Sequence, residues 1–395
     1  MCEHCEDSRG RGFRFCRMCG EYLGEPWRNG YGPKKDDIGI VMKIGLFITL
    51  ICAVLLLIGV FVAFYKSGYV FGNLADAVNS MAILLPYPVT FTKISGAVLQ
   101  FYYVLLLFAV LVSLVLVFWK AYGPLMTLIR KKDAEPMKNT ALFELSVLFS
   151  VIYAVSIVFL IALAASGTVV EDPFEGKEPW VEMFAYLEAS VWEEVVSRIF
   201  LIGVPMFILC VLLKGHTGTL CDPFEDRWGS AGRDGAVDSV VDAYDHSDDE
   251  GVDAGGAKVG GVADSDHVAG KEYRWWNYLL GGTGLNYAAL ILILFSSMIF
   301  GLAHIPLWGV WKSFQTFIMG LIFGYVFMKY GVYATIALHF LADYLSSISW
   351  ISESLVLIPG LAIFALMGLG LVYVWVYGER MLKFIGRVRE DFRGE

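Results

Sequence analysis

Long apolar runs constrain this 395-residue chain more than any other feature, because 57% of its residues are hydrophobic and only 17% are charged. A soluble domain carries about 25% charged residues. A run of about 20 apolar residues is long enough to cross a bilayer as a helix. Such runs are found at 41–65, 97–122, 141–165, 184–213, 278–304, 314–329, 332–350 and 355–377. The sequence therefore predicts an all-α polytopic bundle of about eight transmembrane helices.

The basic residues suggest an orientation for these spans. Lys and Arg cluster before residue 41, between residues 120 and 138, and from residue 380 onward. With an even number of spans, all three clusters fall on one side of the membrane, and that side is normally the cytoplasmic one. We therefore predict a multi-pass protein of the cell membrane with both termini in the cytoplasm. The first run lies too far from the N-terminus for an ordinary cleaved signal peptide.

An acidic segment interrupts the chain after the fourth run. The net charge of -9 is concentrated there, among Gly, Ala and Val. Such a composition cannot bury enough apolar surface to fold alone, so we predict a disordered cytoplasmic linker that serves solvation rather than binding. The resulting division is 1–24 as a small N-terminal module, 25–220 with spans one to four, 221–271 as the linker, and 272–395 with spans five to eight and a basic tail.

Two Cys-x-x-Cys pairs close to the N-terminus are typical of a structural zinc site. The predicted ligands of this zinc-ribbon-like module are Cys2, Cys5, Cys16 and Cys19. Only ten residues separate the pairs, and His4 could replace one cysteine. Disulfides are the less favoured alternative, since the cytoplasm is reducing. Cys52 and Cys210 lie in predicted spans and are interpreted as small buried apolar residues.

The fourth run contains the first group of candidate functional residues: Glu193, Glu194 and Arg198. Ionisable side chains are costly in lipid and usually functional there. Glu194 and Arg198 stand at i and i+4, on one helix face, where they can form an ion pair. Glu193 is rotated by about 100°. This spacing suggests that Arg198 holds Glu194, while Glu193 is left to bind a water molecule or a proton.

Two later runs contribute histidines. His304 lies near the end of the fifth run, just before Pro306. His339 and Asp343 share a face of the seventh run at i and i+4, so that Asp343 can orient the imidazole. Together with Glu193 these side chains would form a polar pocket suited to water activation by a carboxylate, with a histidine assisting and another donor stabilising the oxyanion. Simple span boundaries place His304 and His339 at different depths, so their meeting requires tilted or broken helices.

The ordered motifs Glu-Glu-x-x-x-Arg, Phe-x-x-x-His and His-x-x-x-Asp resemble those of the CPBP family. This family, also called Abi, comprises CAAX proteases and bacteriocin-processing enzymes and includes the type II CAAX prenyl endopeptidases. The resemblance covers roughly 184–350 and includes the small residues Gly320, Gly324 and Gly331.

The resemblance implies a glutamate-dependent intramembrane endopeptidase without a catalytic metal. Carried over by position, Glu193 and His304 would activate the attacking water. His339 and Asp343 would stabilise the oxyanion, and Glu194 and Arg198 would form a supporting pair. The implied partners are the lipid bilayer and a peptide or protein substrate, prenylated or not, and no nucleic acid is expected.

Asp343 departs from the family pattern, in which asparagine is typical at this position. An ionised aspartate repels an oxyanion and cannot donate a hydrogen bond to it. Three explanations remain open: Asp343 is protonated in an apolar site, it serves only to orient His339, or the substrate differs from a prenylated CAAX tail.

Two alternatives use the same residue types. Glutamate, histidine and aspartate also bind Zn²⁺, Mn²⁺ or Fe²⁺, so a metal-dependent membrane protease or a metal or proton transporter is possible. No His-Glu-x-x-His motif occurs, and no internal repeat of the kind found in transporters is obvious. A non-catalytic membrane scaffold is the third interpretation.

Overall fold

The structure is a computed structural model of the chain. It describes residues 39–85, 87–167, 173–213, 218–222, 224, 273–345 and 357–393. The predicted cysteine module and nearly all of the predicted acidic linker lie outside these residues, so both stay predictions.

Helices make up most of the fold, as the sequence predicts. The first half contains α1 (Ile40–Tyr65), α2 (Ser67–Leu74), α3 (Gly96–Lys131), α4 (Glu135–Lys138), α5 (Ala141–Ala165) and α6 (Pro179–Leu212). The second half contains α7 (Trp275–Leu280), α8 (Tyr287–Ala303), α9 (Ile305–Trp308), α10 (Val310–Tyr330), α11 (Val332–Tyr344) and α12 (Leu357–Arg393).

Seven helices in the described part of the chain are long and apolar enough to span a membrane, whereas the sequence predicts eight. The difference arises at the predicted seventh span, because α11 has only 13 residues. At 1.5 Å per residue such a helix is about 20 Å long, well short of the roughly 30 Å hydrocarbon core. The predicted start of the fifth span at residue 278 is also wrong: α7 ends at Leu280, and the positive φ of Gly281 separates it from α8.

A β-hairpin is the main element that the sequence analysis did not predict. Strand β1 (Val78–Leu85) pairs antiparallel with β2 (Tyr87–Ser95), from Val78 opposite Ser95 to Leu85 opposite Tyr87. The segment is rich in Val, Ile, Thr and Phe, which favour strands. It is too short and too interrupted to span a membrane, so it lies in none of the predicted apolar runs.

A disulfide joins Cys210 to Cys221, with their Cα atoms 5.6 Å apart. The interpretation of Cys210 as a simple apolar side chain is therefore wrong, while Cys52 is free and buried. Disulfides persist mainly in oxidising compartments, whereas the basic residues predict a cytoplasmic location for this end of α6. The disulfide and the basic residues thus indicate opposite sides of the membrane for this end of α6, and the orientation of the chain stays a prediction.

Glycines allow α8 and α10 to pack closely. A Cβ atom on Gly320 would lie 2.9 Å from the Cα atom of Ser297, and one on Gly324 would lie 2.7 Å from a methyl group of Ile293. A Cβ atom on Gly301 would likewise meet the carbonyl oxygen of Ser313 at 2.7 Å. Small residues at such contacts let helix backbones approach one another in membranes. This packing fixes the end of α8, from which His304 projects.

Candidate active site

Helix α6 departs from regular α-helical geometry where its two glutamates lie. The stretches Ala189–Glu193 and Val195–Gly203 are π-helical, with Glu194 between them. π-Helical turns inside α-helices are rare and frequent at functional sites. Here they accompany two very different environments: the side chain of Glu193 is 25% exposed, whereas that of Glu194 is fully buried.

Glu194 and Arg198 form the ion pair that their i, i+4 spacing predicts. Arg198 Nε donates to Glu194 Oε2 at 3.3 Å, and both side chains are completely buried. Arg198 Nη1 also donates to Ser296 Oγ on α8, at 3.1 Å. The rings of Phe300 and Phe323 lie 5.3 and 5.8 Å from the guanidinium carbon, within the range of cation–π attraction. The pair thus ties α6 to α8 through a charge that cannot reach water.

His339 lies between two carboxylates. Its Nδ1 is 2.8 Å from Glu194 Oε1, and its Nε2 is 3.1 Å from Asp343 Oδ2. An ionised carboxylate only accepts hydrogen bonds, so two ionised partners require a hydrogen on both ring nitrogens, as in the imidazolium. The ring of Phe323 lies 5.0 Å away and confines the imidazole from one side. The orientation of His339 is therefore fixed from both ends.

Glu193 faces both histidines through one oxygen atom. Glu193 Oε2 lies 3.9 Å from His304 Nε2 and 3.9 Å from His339 Nε2. These separations are too long for direct hydrogen bonds. Each separation is long enough for a small polar molecule, such as water, to lie between the two groups and form hydrogen bonds with both.

His304 is held by the end of α8, where it is the C-terminal cap residue. Its Nδ1 lies 2.7 Å from the carbonyl oxygen of Phe300. A carbonyl oxygen can only accept, so Nδ1 carries the hydrogen, and Nε2 of the neutral ring is left as an acceptor directed at Glu193.

A cavity of about 510 Å³ opens beside these residues. Glu193, His304, His339 and Asp343 all line it, whereas the fully buried Glu194 and Arg198 lie behind it. All six candidate residues are thus brought together. The predicted difference in depth between the histidines disappears, because His304 projects from the end of α8 and His339 belongs to the short α11.

Lys312 also lines this cavity, and the sequence analysis missed it. Its ammonium group lies 4.7 Å from the ring centre of Trp308 and 5.5 Å from that of Trp311. The charges of Asp343 and Glu193 also act on it. In the sequence it reads as an ordinary loop cation between two predicted spans. The two neighbouring tryptophans are the only sequence signal that could have marked it.

The hairpin forms a further wall of the cavity, through Ser80 and Ala82 of β1. Trp192 Nε1 on α6 donates to the carbonyl oxygen of Ala82 at 2.9 Å. Asn79 Nδ2 donates to Glu188 Oε1 at 2.6 Å. The hairpin is therefore attached to the helix that carries the two glutamates, at Trp192 next to Glu193 and at Glu188 five residues before Glu193.

No group of three or more His, Cys, Asp or Glu side chains with the geometry of a metal site is found within the described residues. The donor arrangement explains this for His339, because each of its ring nitrogens already faces a carboxylate. Metal-ligating histidines need one free nitrogen lone pair.

Comparison with models of protein families gives a match to part of the chain. Residues 176–345 match the family described as type II CAAX prenyl endopeptidase Rce1-like. This segment, which is less than half of the chain, is similar to the Rce1-like family. No curated protein and no solved structure matches the chain.

The Rce1-like match confirms the family predicted from the three motifs, and all six candidate residues lie inside it. The family points to a membrane endopeptidase of the CAAX-protease type, and the seven candidate spans agree with a multi-pass membrane protein. The hairpin and the N-terminal cysteines lie outside the matched segment.

Proposed function

We propose that this chain is an intramembrane endopeptidase in which Glu193 activates a water molecule for attack on a peptide bond. The observation that carries the proposal is the geometry around Glu193 Oε2, which faces His304 and His339 at 3.9 Å in a cavity of about 510 Å³. Glu194, one residue away, is occupied by Arg198 and His339. Glu193 is therefore the carboxylate of the pair that can take up a proton.

His304 would act with Glu193 on the attacking water. With its Nδ1 hydrogen bonded to the Phe300 carbonyl group, its Nε2 lone pair is directed toward Glu193 Oε2. A water molecule placed between the two would donate one hydrogen to each acceptor, which directs an oxygen lone pair into the cavity. Proton transfer to a positioned side chain of this kind contributes typically about 10²–10⁴-fold to a reaction rate.

The oxyanion requires positive charge in the same cavity. The 3.1 Å contact between His339 Nε2 and Asp343 favours an orienting role for Asp343 over direct stabilisation of the oxyanion. We therefore assign oxyanion stabilisation to the cationic side of the cavity, formed by His339 and Lys312. Positive charges that are held in place in a site that excludes water stabilise an oxyanion more strongly than the same charges do in solution.

A prenylated peptide that ends in a CAAX-type sequence is the proposed substrate class, and its support is the Rce1-like match. The metal-dependent protease and the transporter remain the rival functions. The described residues offer a metal-dependent protease or a metal transporter no cluster of three ligands, whereas a proton transporter would need none.

Cleavage of a defined peptide by the purified full-length protein tests the proposal. The probe is a peptide with a farnesylated cysteine followed by three residues, presented in lipid vesicles, and mass spectrometry identifies the products. The proposal expects one cut close to the modified cysteine, with a rate that a chelator of divalent metals leaves unchanged. A rate that vanishes with chelator and returns with metal would favour the metalloprotease. Transport of metal or protons without cleavage would favour the transporter.

A further inference from the structure

The hairpin has no part in the proposed chemistry, yet it is held firmly beside it. Trp192 Nε1 and Asn79 Nδ2 make the two hydrogen bonds between α6 and β1, at 2.9 and 2.6 Å. The ring of Phe91 on β2 lies 6.2 Å from that of Trp192. The hairpin is therefore attached to α6 directly beside Glu193, the residue next to Trp192.

The hydrogen bond from Trp192 reveals which edge of β1 faces the site. The Ala82 carbonyl group accepts from the indole N–H of Trp192, so it points away from β2. In an antiparallel pair the N–H and C=O groups of a residue point to the same side, and residues two apart share that side. The free edge of β1 thus faces α6 and the cavity.

Ser80 presents its backbone to the same side as Ala82. The one irregularity of the hairpin pairs Met81 with Thr92 but Ala82 with Thr90, so Phe91 of β2 is the extra residue. The bulge therefore belongs to β2, and β1 keeps its regular alternation. Ser80 is exposed, and together with Ala82 it lines the cavity that contains Glu193.

No further strand pairs with this edge in the described part of the chain. The sheet has two strands in the described part of the chain, and β2 is the only strand paired with β1 there. An unpaired strand edge is a template for an added strand, and strand addition is a recurring mode of peptide recognition. The indole N–H of Trp192 donates to the Ala82 carbonyl group in the way that a backbone N–H of an added strand would.

We propose that the free edge of β1 binds the substrate backbone as an added β-strand and holds it extended across the cavity, with Trp192 marking one end. The inference rests on the proposed peptidase function and adds a substrate-binding surface to it. It assigns this role to a hairpin outside the segment that matches the family. Since the contacts are between backbones, the surface would select extended chains rather than particular side chains.

Single N-methylation of the probe peptide tests this inference. Only every second N–H of an added strand faces its neighbour. Cleavage by the full-length protein in vesicles should therefore fall at alternate methylated positions on the N-terminal side of the farnesylated cysteine, and stay near the unmethylated rate between them. Loss of one neutral hydrogen bond corresponds to a drop of up to about tenfold in kcat/KM.

The variant Ser80→Pro supplies a matched test on the protein side. Proline removes one N–H and is tolerated at free strand edges. In this variant, replacement of the probe carbonyl group that would accept from the Ser80 N–H by a thioamide, a weaker acceptor, should cause no further loss, which a general loss of activity would not imitate. If Ser80→Pro fails to fold, the scan on the unaltered protein still decides.

Three outcomes would overturn the inference. Cleavage of the unmethylated probe with equal tolerance at all methylated positions would contradict strand addition while leaving the peptidase function intact. Failure to cleave even the unmethylated probe would refute both. A third outcome combines two results: cleavage tolerates methylation equally at all positions, and the variant Ser80→Cys forms a disulfide-linked dimer. This would show that the edge pairs two copies of the chain instead.

Discussion

Asp343 Oδ2 lies 3.1 Å from His339 Nε2, one helical turn along α11. The other ring nitrogen is 2.8 Å from Glu194 Oε1, so His339 is anchored to two helices at once. Asp343, which departs from the asparagine expected from the family resemblance, thus has a defined partner, and in the proposed mechanism its carboxylate needs no contact with the reacting peptide bond.

The variant Asp343→Asn tests this orienting role. An amide oxygen can still accept from His339 Nε2, and the amide N–H₂ group can donate to an oxyanion. We therefore expect kcat/KM to be retained or increased. Asp343→Ala should reduce it by at least about tenfold, because a hydrogen bond between charged groups is lost. Steady-state cleavage of the farnesylated probe measures both. Loss of activity in Asp343→Asn comparable to that in Asp343→Ala would contradict the orienting role and indicate that the negative charge itself is needed.

Glu194 and Arg198 should stabilise the fold as a pair. Both are fully buried, and removal of one partner from a buried ion pair costs about 3–5 kcal/mol, because the other charge stays uncompensated. We expect Glu194→Met and Arg198→Met each to lower the midpoint of thermal unfolding in detergent strongly, and the double variant to lose less than the sum. Additive losses would show that the two residues are not energetically coupled.

Lys312→Met should lower kcat with little change in KM, by about 10²-fold if the ammonium group stabilises the oxyanion. Lys120→Met is a matched control, since Lys120 also lies over an aromatic ring, 4.3 Å from the centre of Tyr333, and does not line the cavity. The activity of Lys120→Met should stay close to that of the unaltered protein. A raised KM at constant kcat in Lys312→Met would instead indicate that Lys312 binds the substrate in its ground state.

The N-terminal cysteines predict about one Zn²⁺ per chain, held outside the membrane. Elemental analysis of the detergent-purified full chain and of a version that lacks residues 1–24 measures this directly. We expect the zinc to disappear with the truncation and cleavage of the probe to continue. Metal retained by the truncated protein would revive the metal-dependent alternatives and make Glu193, His304, His339 and Asp343 ligand candidates.

Sequence patterns recovered those parts of the site that depend on local geometry. The pairs Glu194–Arg198 and His339–Asp343 each stand at i and i+4, and helical geometry alone brings their side chains together. Spacing along one helix cannot predict contacts between residues of different helices. Nothing local indicates that His339 Nδ1 meets Glu194, a residue 145 positions away.

The missed features share a different cause. Hydropathy reports how well a segment tolerates lipid, and it does not distinguish a span from the short, buried α11. The hairpin is invisible to it because its apolar stretches are brief. Lys312 was overlooked because a cation between two apolar runs normally lies in solvent. Here Trp308 and Trp311 hold it at the cavity.

Cleavage by Glu193→Gln is the most direct measurement of the central claim. The substitution keeps the size of the side chain and removes its capacity to accept a proton. Glu144→Gln is the matched control, because Glu144 is also a buried carboxylate in the bundle but pairs with Lys329, away from the cavity. We predict that Glu193→Gln unfolds at the same temperature as the unaltered protein and loses at least about 10³-fold in kcat/KM on the farnesylated probe. The control should cleave normally per folded molecule. Full activity of a well-folded Glu193→Gln protein would contradict the account.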